Sequence, residues 1–169
     1  MRESGTLAPG ALDRGPWDLV IVIVSFNVRD HLARCLTALA AHPTRRRTQV
    51  VVVDNGSTDG SVAMVRDAWP QVHLVTLGDN RGFAAANNAG IRATRGTRSR
   101  WILLLNSDTI VGDGALDALI DRAEAGPDVG IAGPRLVDGG GRPELSFGAM
   151  PGPFAEARQK RLVTAYARG

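Results

Sequence analysis

The sequence predicts an α/β fold in which an open, mostly parallel sheet carries helices on both faces. Two observations support this prediction. Apolar, β-branched runs at residues 19–26 and 49–54 have the composition of strands that are buried on both faces. A stretch with the spacing of an amphipathic helix follows each run. Because strands that alternate with helices form parallel sheets with right-handed crossovers, the chain is expected to be an open α/β sandwich.

Four strand–helix pairs and a final strand follow one another along the chain. The first helix is marked by apolar residues that recur on one face, and it is expected to end before Pro43. The second helix is short because Pro70 stops it. The third and fourth helices are expected at residues 83–94 and 116–123. The predicted strands cover residues 19–26, 49–54, 72–77, 100–106 and 129–137.

The chain has the length and composition of one domain with two flanking segments. Its 169 residues, 44% of them hydrophobic, are enough for one core. Residues 1–17 are predicted to form a flexible N-terminal segment, and residues 18–138 the α/β domain. Residues 139–169 are predicted to form a Gly/Pro-rich segment and a basic C-terminal helix. That helix either docks on the domain or contacts a membrane interface peripherally.

Charge and composition exclude several classes of function. A net charge of +3 with interspersed arginines and acids weakly favours anionic partners such as phosphates or lipid headgroups. The basic run at residues 45–47 has no interleaved aromatic residues, so a solvated loop is favoured and no nucleic-acid partner is expected. The single Cys35 excludes an internal disulfide framework and a thiolate zinc site. Without a long apolar segment, the sequence predicts a cytoplasmic protein, with the inner face of the membrane as an alternative place of action.

Polar residues follow the first two predicted strands. In open parallel sheets, ligands bind beyond the carboxyl ends of the strands, near the point where strand order reverses. Ser25, Phe26 and Asn27 end the first strand, and no glycine-rich dinucleotide motif follows them. Asp54 closes a run of four valines. Helix capping explains the polar residues after Asp54 but not Asp54 itself, whose carboxylate could accept hydrogen bonds from a base N–H or ribose hydroxyls.

The third strand leads into the glycine- and asparagine-rich segment at residues 78–90. Arg81 and a helix start at Gly82 would together suit an anionic group, because helix N-termini bind phosphate. Asn87 and Asn88 lie inside the predicted helix, where asparagine competes for backbone hydrogen bonds. Either some contact compensates for these residues, or they form a surface pair.

The fourth strand, LLLNSDT, ends in an acidic turn. Asp108 either marks a strand that ends at the surface or presents a carboxylate to a metal. If strand order reverses beside the first strand, Asn27 and Asp108 face each other across the crevice, with Asp54 close by. A diphosphate ligand there would need countercharge, for which Mg²⁺ or Mn²⁺ held by carboxylates is the usual solution.

Four blocks of the sequence, VIVSFN, VVVDNGSTDGS, GDNRGFAAANNAGI and WILLLNSDT, resemble those of family 2 glycosyltransferases with a GT-A fold. The resemblance is greatest to the rhamnosyltransferase-like branch, and it covers residues 19–137 in the family's order and spacing. It implies that residues 18–138 bind a nucleoside diphosphate sugar. It also implies metal-assisted, inverting transfer of a sugar, with rhamnose as one candidate, to a cell-surface glycan or a lipid-linked acceptor.

The resemblance also implies roles for individual residues. Asp54 would contact the nucleoside, helped by Asn55 and by Asn27 or its neighbours in the first loop. Asn88 and the glycine-rich helix start would lie near the sugar diphosphate. Asn106, Ser107 and Asp108 take the place of the D-x-D-like motif, with Asp108 as the metal ligand. The full predicted set of nucleotide-sugar-binding residues is Ser25, Phe26, Asn27, Asp54, Asn55, Arg81, Gly82, Asn87, Asn88, Asn106 and Ser107.

The general base is the part of the family's machinery that the sequence does not supply. Inverting transfer needs a base near the acceptor hydroxyl, which the family provides near an E-D pair downstream of the metal motif. No such pair occurs here, and Asp138 and Glu144 are the only loop candidates. The chain therefore resembles a family member that lacks the C-terminal acceptor and base segment. The alternative to an enzyme is a non-catalytic or incomplete nucleotide-sugar-binding module.

Overall fold

A computed structural model of the chain describes residues 15–144, with side chains over residues 15–142. Most of the predicted N-terminal segment and the whole predicted C-terminal helix lie outside the described residues. The four predicted strand–helix pairs are confirmed, and the first strand begins earlier than expected, at Pro16. The elements are β1 (Pro16–Ser25), α1 (Arg29–Ala41), β2 (Thr48–Asp54), α2 (Ser61–Ala68), β3 (His73–Thr76), α3 (Phe83–Ala93), β4 (Arg98–Asn106) and α4 (Ala115–Glu124).

The four strands form one parallel sheet in the order β3-β2-β1-β4. The chain first adds strands on one side of β1 and then crosses to the other side, so strand order reverses beside β1, as expected. The register aligns the strand ends: Ser25 pairs with Asp54 on one side, and Val24 pairs with Asn106 on the other. The switch point of the sheet therefore lies between the ends of β1 and β4.

Helices cover both faces of the sheet. The valines of β1 and residues 51–53 of β2 are almost fully buried, and those on one face form a core cluster with Ala86 of α3. A Cβ added to Gly90 would clash with Val22 and come within 2.9 Å of Val53, so the glycine lets α3 pack closely on the sheet. The right-handed crossovers that join β1, β2 and β3 place α1 and α2 on the opposite face.

The leucine-rich strand β4 is less buried than β1 and β2. Its residues alternate between half-buried and exposed, and the side chains of Ile102 and Leu104 are 42% and 50% exposed. These two side chains lie on the face that carries α3, which packs over β1 and β2 instead. Within residues 15–144, β4 is an edge strand that pairs with β1 alone.

The predicted fifth strand at residues 129–137 is wrong over most of its length. Only Leu136–Val137 forms a strand, β5, and it pairs antiparallel with Pro143–Glu144, β6. Gly130, Gly133 and Pro134 interrupt the apolar run, and Ile131 is 95% exposed. Glycine weakens a strand and proline removes a hydrogen-bond donor, which explains the difference.

A turn over residues 138–142 connects β5 and β6 into a small antiparallel hairpin. The Asp138 N–H donates a 2.8 Å hydrogen bond to the Arg142 carbonyl, and the Arg142 N–H donates a 2.9 Å hydrogen bond to Asp138 Oδ1. The hairpin belongs to the second of two compact units, which divide between Ala118 and Leu119. The sheet belongs to the first unit. No helix within the described residues is long and apolar enough to cross a membrane.

Candidate functional site

The carboxyl edge of the sheet brings together predicted site residues from three adjacent strands. Ser25, Asp54 and Asn106 end β1, β2 and β4, respectively, and the register sets them at nearly the same level. Adjacent strands lie about 4.8 Å apart, so the backbones of β2 and β4 are separated by about 10 Å at this edge. The loops that follow these strands therefore border a single site.

Asp54 and Ser25 carry the two buried polar atoms of this edge that have no partner. Asp54 is 3% exposed, and its Oδ1 accepts hydrogen bonds from the N–H groups of Gly56 at 3.2 Å and Ser57 at 3.0 Å. Asp54 Oδ2 and Ser25 Oγ have no hydrogen-bond partner among the described residues. Because an unsatisfied buried polar atom is costly, two such atoms on paired residues favour a ligand contact at this position.

Asn27 links the first loop to the second. Its backbone is in the left-handed region, with φ of 52°, which asparagine tolerates better than most residues. Its Oδ1 accepts a 2.8 Å hydrogen bond from the Thr58 N–H, and its own N–H donates to Ser57 Oγ at 3.0 Å. Phe26, the residue before it, is 41% exposed. The Asn27 side chain thus holds the loop beside Phe26 in place.

Asp59 connects the same two loops at the helix starts. Its Oδ2 accepts a hydrogen bond from the Arg29 N–H at 2.8 Å, and its Oδ1 accepts from the Ser61 N–H at 3.0 Å and from Ser61 Oγ at 2.6 Å. One carboxylate therefore serves the first residues of both α1 and α2. Desolvation acts to raise the pKa of the Asp59 carboxyl. The hydrogen bonds from Ser61 and Arg29 outweigh it and hold the pKa of Asp59 below its usual value.

Asn55 and Arg81 lie at the junction of the second and third loops. Asn55 is 3% exposed and bonds the third loop through both ends of its amide. The guanidinium of Arg81 is tied to its own loop by bonds to Asp79 Oδ1 at 2.8 Å and to the Leu77 carbonyl at 3.1 Å. Gly82 is the N-cap of α3 and has no capping side chain. Within the described residues, the first-turn N–H groups of α3 therefore receive no hydrogen bond from the side chain of the N-cap residue.

The asparagine pair of α3 divides into one buried and one exposed residue. Asn87 is 6% exposed, and its Nδ2 donates a 3.0 Å hydrogen bond to the Phe83 carbonyl one turn earlier. This bond supplies the compensation that a buried asparagine in a helix needs. Asn88 is exposed.

Asp108 lies in the turn that follows β4. The Thr109 N–H donates to the Asn106 carbonyl at 3.2 Å and closes this turn, and Asp108 is exposed. Beneath the turn, Cys35 Sγ lies 3.8 Å from the same carbonyl. Burial and the charge of Asp108 raise the pKa of the Cys35 thiol to about 11, so it stays protonated. No cluster of three metal-ligating side chains occurs within residues 15–142, which leaves Asp108 as a single carboxylate.

Asp138, a candidate base, is committed to the hairpin turn. Its Oδ1 accepts hydrogen bonds from the N–H groups of Arg142 at 2.9 Å and Gly140 at 2.8 Å, and its Oδ2 accepts one from Arg142 Nε at 2.9 Å. The Arg142 backbone N–H, helped by the other two bonds, holds the pKa of Asp138 below its usual value. A carboxylate with a lowered pKa is a weak base. The side chain of Glu144, the other candidate, lies outside the described residues.

Asn80 is a residue of the site that sequence reasoning missed. Its Oδ1 accepts hydrogen bonds from Asn55 Nδ2 at 2.9 Å and from the Gly82 N–H at 3.0 Å. An asparagine in a glycine-containing turn is too common for its presence alone to identify a partner distant in sequence.

One curated relative is named as a rhamnosyltransferase, and another as a succinoglycan biosynthesis protein. The chain is 33% identical over 141 residues to the N-acetylglucosaminyl-diphospho-decaprenol L-rhamnosyltransferase of Mycobacterium tuberculosis, across 79% of this chain and 46% of the relative. It is 40% identical over 119 residues to the succinoglycan biosynthesis protein ExoO of Rhizobium meliloti, across 69% of this chain and 32% of the relative. The chain therefore spans less than half the length of either relative.

Solved structures share the fold. S. aureus TarS 1-349 in complex with UDP-GlcNAc aligns with a TM-score of 0.54 and 22% identity, over 63% of this chain and 32% of that one. The mannosyltransferase PcManGT from Pyrobaculum calidifontis, in complex with GDP-Man and Mn²⁺, aligns with a TM-score of 0.51 and 20% identity, over 62% of this chain and 32% of that one. Both are larger proteins of which this chain matches one part.

The family assignment follows from the whole stretch that contains the strand ends. The family model described as glycosyl transferase family 2 matches residues 20–166, which include the second half of β1 and all of β2, β3 and β4. The open parallel sheet with helices on both faces agrees with the GT-A fold that the sequence blocks implied. This chain belongs to glycosyl transferase family 2.

Proposed function

We propose that this chain binds a nucleoside diphosphate sugar at the carboxyl edge of the sheet, as the donor half of a glycosyltransferase. The observation that carries the proposal is the buried, unpartnered pair of Asp54 Oδ2 and Ser25 Oγ on adjacent strands. An ionised carboxylate only accepts hydrogen bonds, while a hydroxyl can donate or accept. A nucleoside, with its base N–H and ribose hydroxyls, offers the donors that this pair lacks.

The start of α3 is the proposed binding site for the diphosphate. Uncapped N–H groups at a helix N-terminus attract anionic groups. Arg81 stands at the same turn, and its side chain is 56% exposed and paired with Asp79. We propose that the diphosphate takes the place of Asp79 as the partner of this guanidinium. Asn88 lies on the exposed side of this helix and is proposed to approach the sugar diphosphate.

Asp108 is the proposed protein ligand of a divalent cation. Its carboxylate is exposed and forms no hydrogen bond or ion pair within the described residues, so it is free to bind one. Mg²⁺ commonly uses one or two carboxylates together with substrate phosphates rather than a closed protein cage, and Mn²⁺ accepts the same oxygen ligands. This preference fits a single carboxylate. The structure of the Pyrobaculum mannosyltransferase in complex with GDP-Man and Mn²⁺ supports the same choice.

The chemistry proposed for the site centres on the leaving group. In sugar transfer, negative charge builds on the departing diphosphate, and a bound cation would stabilise that charge. Within this chain, Asp54 would fix the nucleoside and the start of α3 would hold the phosphates. Both would position the bond between the sugar and the diphosphate, which breaks in the transfer. Inverting transfer also needs a base at the acceptor hydroxyl, which we place outside residues 15–142 because Asp138 is held in its turn.

Rhamnose is the proposed sugar, and a lipid-linked or cell-surface glycan is the proposed acceptor. The name of the mycobacterial relative, an L-rhamnosyltransferase acting on a decaprenol-linked sugar, supports both. A cytoplasmic location at the inner face of the membrane, with peripheral contact through the basic C-terminal residues, follows from such an acceptor. The engagement of Asp138 also favours a second candidate, an incomplete donor-binding module that needs another polypeptide for its base.

Nucleotide release tests the proposal. The purified chain is incubated with nucleoside diphosphate sugars and Mg²⁺ or Mn²⁺, and released nucleoside diphosphate is measured alongside binding by titration calorimetry. Binding with release supports the enzyme, and binding without release favours the incomplete module. If no nucleoside diphosphate or nucleotide sugar binds with either metal, the proposed donor site is wrong.

A further inference from the structure

Asn55 follows Asp54 directly, but its side chain is used within the protein. The residue is 3% exposed, its Oδ1 accepts a 2.9 Å hydrogen bond from the Arg81 N–H, and its Nδ2 donates a 2.9 Å bond to Asn80 Oδ1. Both ends of the amide therefore contact the third loop. The two bonds fix the orientation of the amide, and at 3% exposure the residue presents little surface to a ligand.

The contact continues to the start of α3. Asn80 Oδ1 accepts a second hydrogen bond, at 3.0 Å, from the N–H of Gly82, the N-cap of the helix. Two hydrogen bonds in series therefore join Asn55, the residue after β2, to the N-cap of α3. Asn80 itself is exposed, so this connection has one buried and one accessible partner.

Gly56 brings the two loops into backbone contact beside Asn55. A Cβ at Gly56 would lie 2.8 Å from both Cα and C of Asp79, and the residue has φ of +90°. No side chain fits between the loops here, and a left-handed backbone also favours glycine. We call this junction the loop seam; it consists of Asn55 and Gly56 on the second loop and residues 79–82 on the third.

We infer that Asn55 is a positioning residue of the donor site: through the loop seam it holds the start of α3 at a fixed place relative to Asp54. This inference rests on the proposed function, because the seam joins the proposed nucleoside and diphosphate ends of that site. A loop that is ordered before the ligand arrives spares the ligand the cost of ordering it. The inference departs from the sequence-based expectation, in which Asn55 helps to contact the nucleoside.

Two variants open the seam from opposite sides. Asn55→Ala removes the buried amide, and Asn80→Ala removes the exposed partner, which is the safer change for folding. The matched control is Gln49→Ala, which removes an amide at the other end of β2, where its Nε2 donates to the Val50 carbonyl at 3.1 Å and the Gln71 carbonyl at 3.4 Å. Each protein is titrated with UDP, GDP and dTDP in the presence of Mg²⁺, and backbone amide hydrogen exchange is measured without nucleotide.

The inference predicts linked changes in the two measurements. In either seam variant, amides of residues 81–86 should exchange about tenfold faster in the absence of nucleotide, because local opening becomes easier. The dissociation constant of the nucleotide that binds the wild-type protein should rise about tenfold, since the ligand must then order the loop. The loss of affinity in the double variant should be smaller than the sum of the two single losses, because both changes break the bond between Asn55 Nδ2 and Asn80 Oδ1. Gln49→Ala should change neither quantity.

Other outcomes would overturn the inference in distinguishable ways. Weaker binding with unchanged exchange at residues 81–86 would make Asn55 a direct ligand contact. Faster exchange with unchanged affinity would make it a structural residue only. If the wild-type protein binds none of the three nucleotides, the proposed donor site fails and the positioning role fails with it, while the exchange data still report whether Asn55 holds the loop.

Discussion

The ends of β2 and β4 border the same site but differ in how much of their hydrogen bonding the protein supplies. After β2, Asp54 Oδ1 is bonded within its own loop, and Asn55 and Asp59 are bonded to neighbouring loops. Among the described residues, Asp54 Oδ2 is left without a partner. After β4, the carboxylate of Asp108 is exposed and forms no hydrogen bond or ion pair within the described residues. The same residue type is therefore fixed at one strand end and free at the other.

The difference indicates a division of labour in the proposed donor site. A site whose groups are already positioned can select a ligand by shape and hydrogen bonding, because little freedom is lost on binding. A single exposed carboxylate cannot hold a hard cation alone and needs the phosphates of the ligand to complete the coordination. We therefore expect changes near β2 to affect folding or selection, and changes near β4 to affect only metal-linked binding.

The largest effect is expected for Gly56→Ala, which forces the loop seam apart. The added methyl would meet the Asp79 backbone at 2.8 Å in a residue with φ of +90°. We expect the free energy of unfolding to fall by about 3 kcal/mol, which denaturant titration would measure. The control is Gly78→Ala, where φ is +76° but nothing lies within 4 Å. It should cost only the backbone strain, about 1 kcal/mol. Equal losses in the two variants would contradict the close loop contact.

A smaller loss of stability, about 1 kcal/mol, is expected for Asp59→Ala, because the helix starts of α1 and α2 lose their shared acceptor. The direction of the pH dependence follows from the lowered pKa of Asp59. The pKa of Asp59 is lowered on folding, so its stabilisation is present above the unfolded value of about 3.9 and is lost as pH falls through the folded pKa. The stability difference between wild type and variant should therefore disappear in acid.

Thermal or denaturant unfolding at several pH values measures this difference. Asp67→Ala is the control, since the carboxylate of Asp67 in α2 is exposed and forms no hydrogen bond within residues 15–142. Its effect should be small at every pH. A stability difference between wild type and Asp59→Ala that stays constant down to strongly acidic pH would argue against Asp59 as the shared acceptor for the starts of α1 and α2.

The smallest effect on folding is expected for Asp108→Ala, which removes an exposed side chain. Stability should change by no more than about 0.5 kcal/mol. Nucleoside diphosphate affinity in Mg²⁺ or Mn²⁺ should fall about tenfold, whereas affinity in a metal chelator should stay the same, because only the cation is lost. Asp113→Ala, at a 94% exposed carboxylate in the following segment, should leave both affinities unchanged. Metal-independent loss in Asp108→Ala would exclude the proposed metal role.

The sheet was predictable because its signals are local. Uninterrupted β-branched runs define β1 and β2, and helix periodicity with proline stops defines the elements between them. The fifth strand failed for the opposite reason, since Gly130, Gly133 and Pro134 interrupt an apolar run whose composition still looked like a strand. The exposure of β4 was also not predictable, because it depends on where α3 packs across the sheet.

Within the site, the sequence could identify residues at strand ends but not their contacts. Asp54 and Asp108 were expected at the carboxyl edge because they close apolar runs, and the register brings their strands to one edge. The bonds of Asn55 to Asn80 and Arg81 connect residues in different loops. Such pairing depends on loop geometry that no local pattern encodes, so contact and positioning roles could not be separated from the sequence.

The central claim is that the free oxygen of Asp54 is reserved for a nucleoside, and Asp54→Asn tests it most directly. The variant keeps Oδ1 for the Gly56 and Ser57 N–H groups and replaces the unpartnered Oδ2 with an amide nitrogen. We predict that nucleoside diphosphate affinity, measured by titration calorimetry, falls by at least about tenfold while the free energy of unfolding does not decrease. Unchanged affinity in a folded Asp54→Asn protein would contradict the claim.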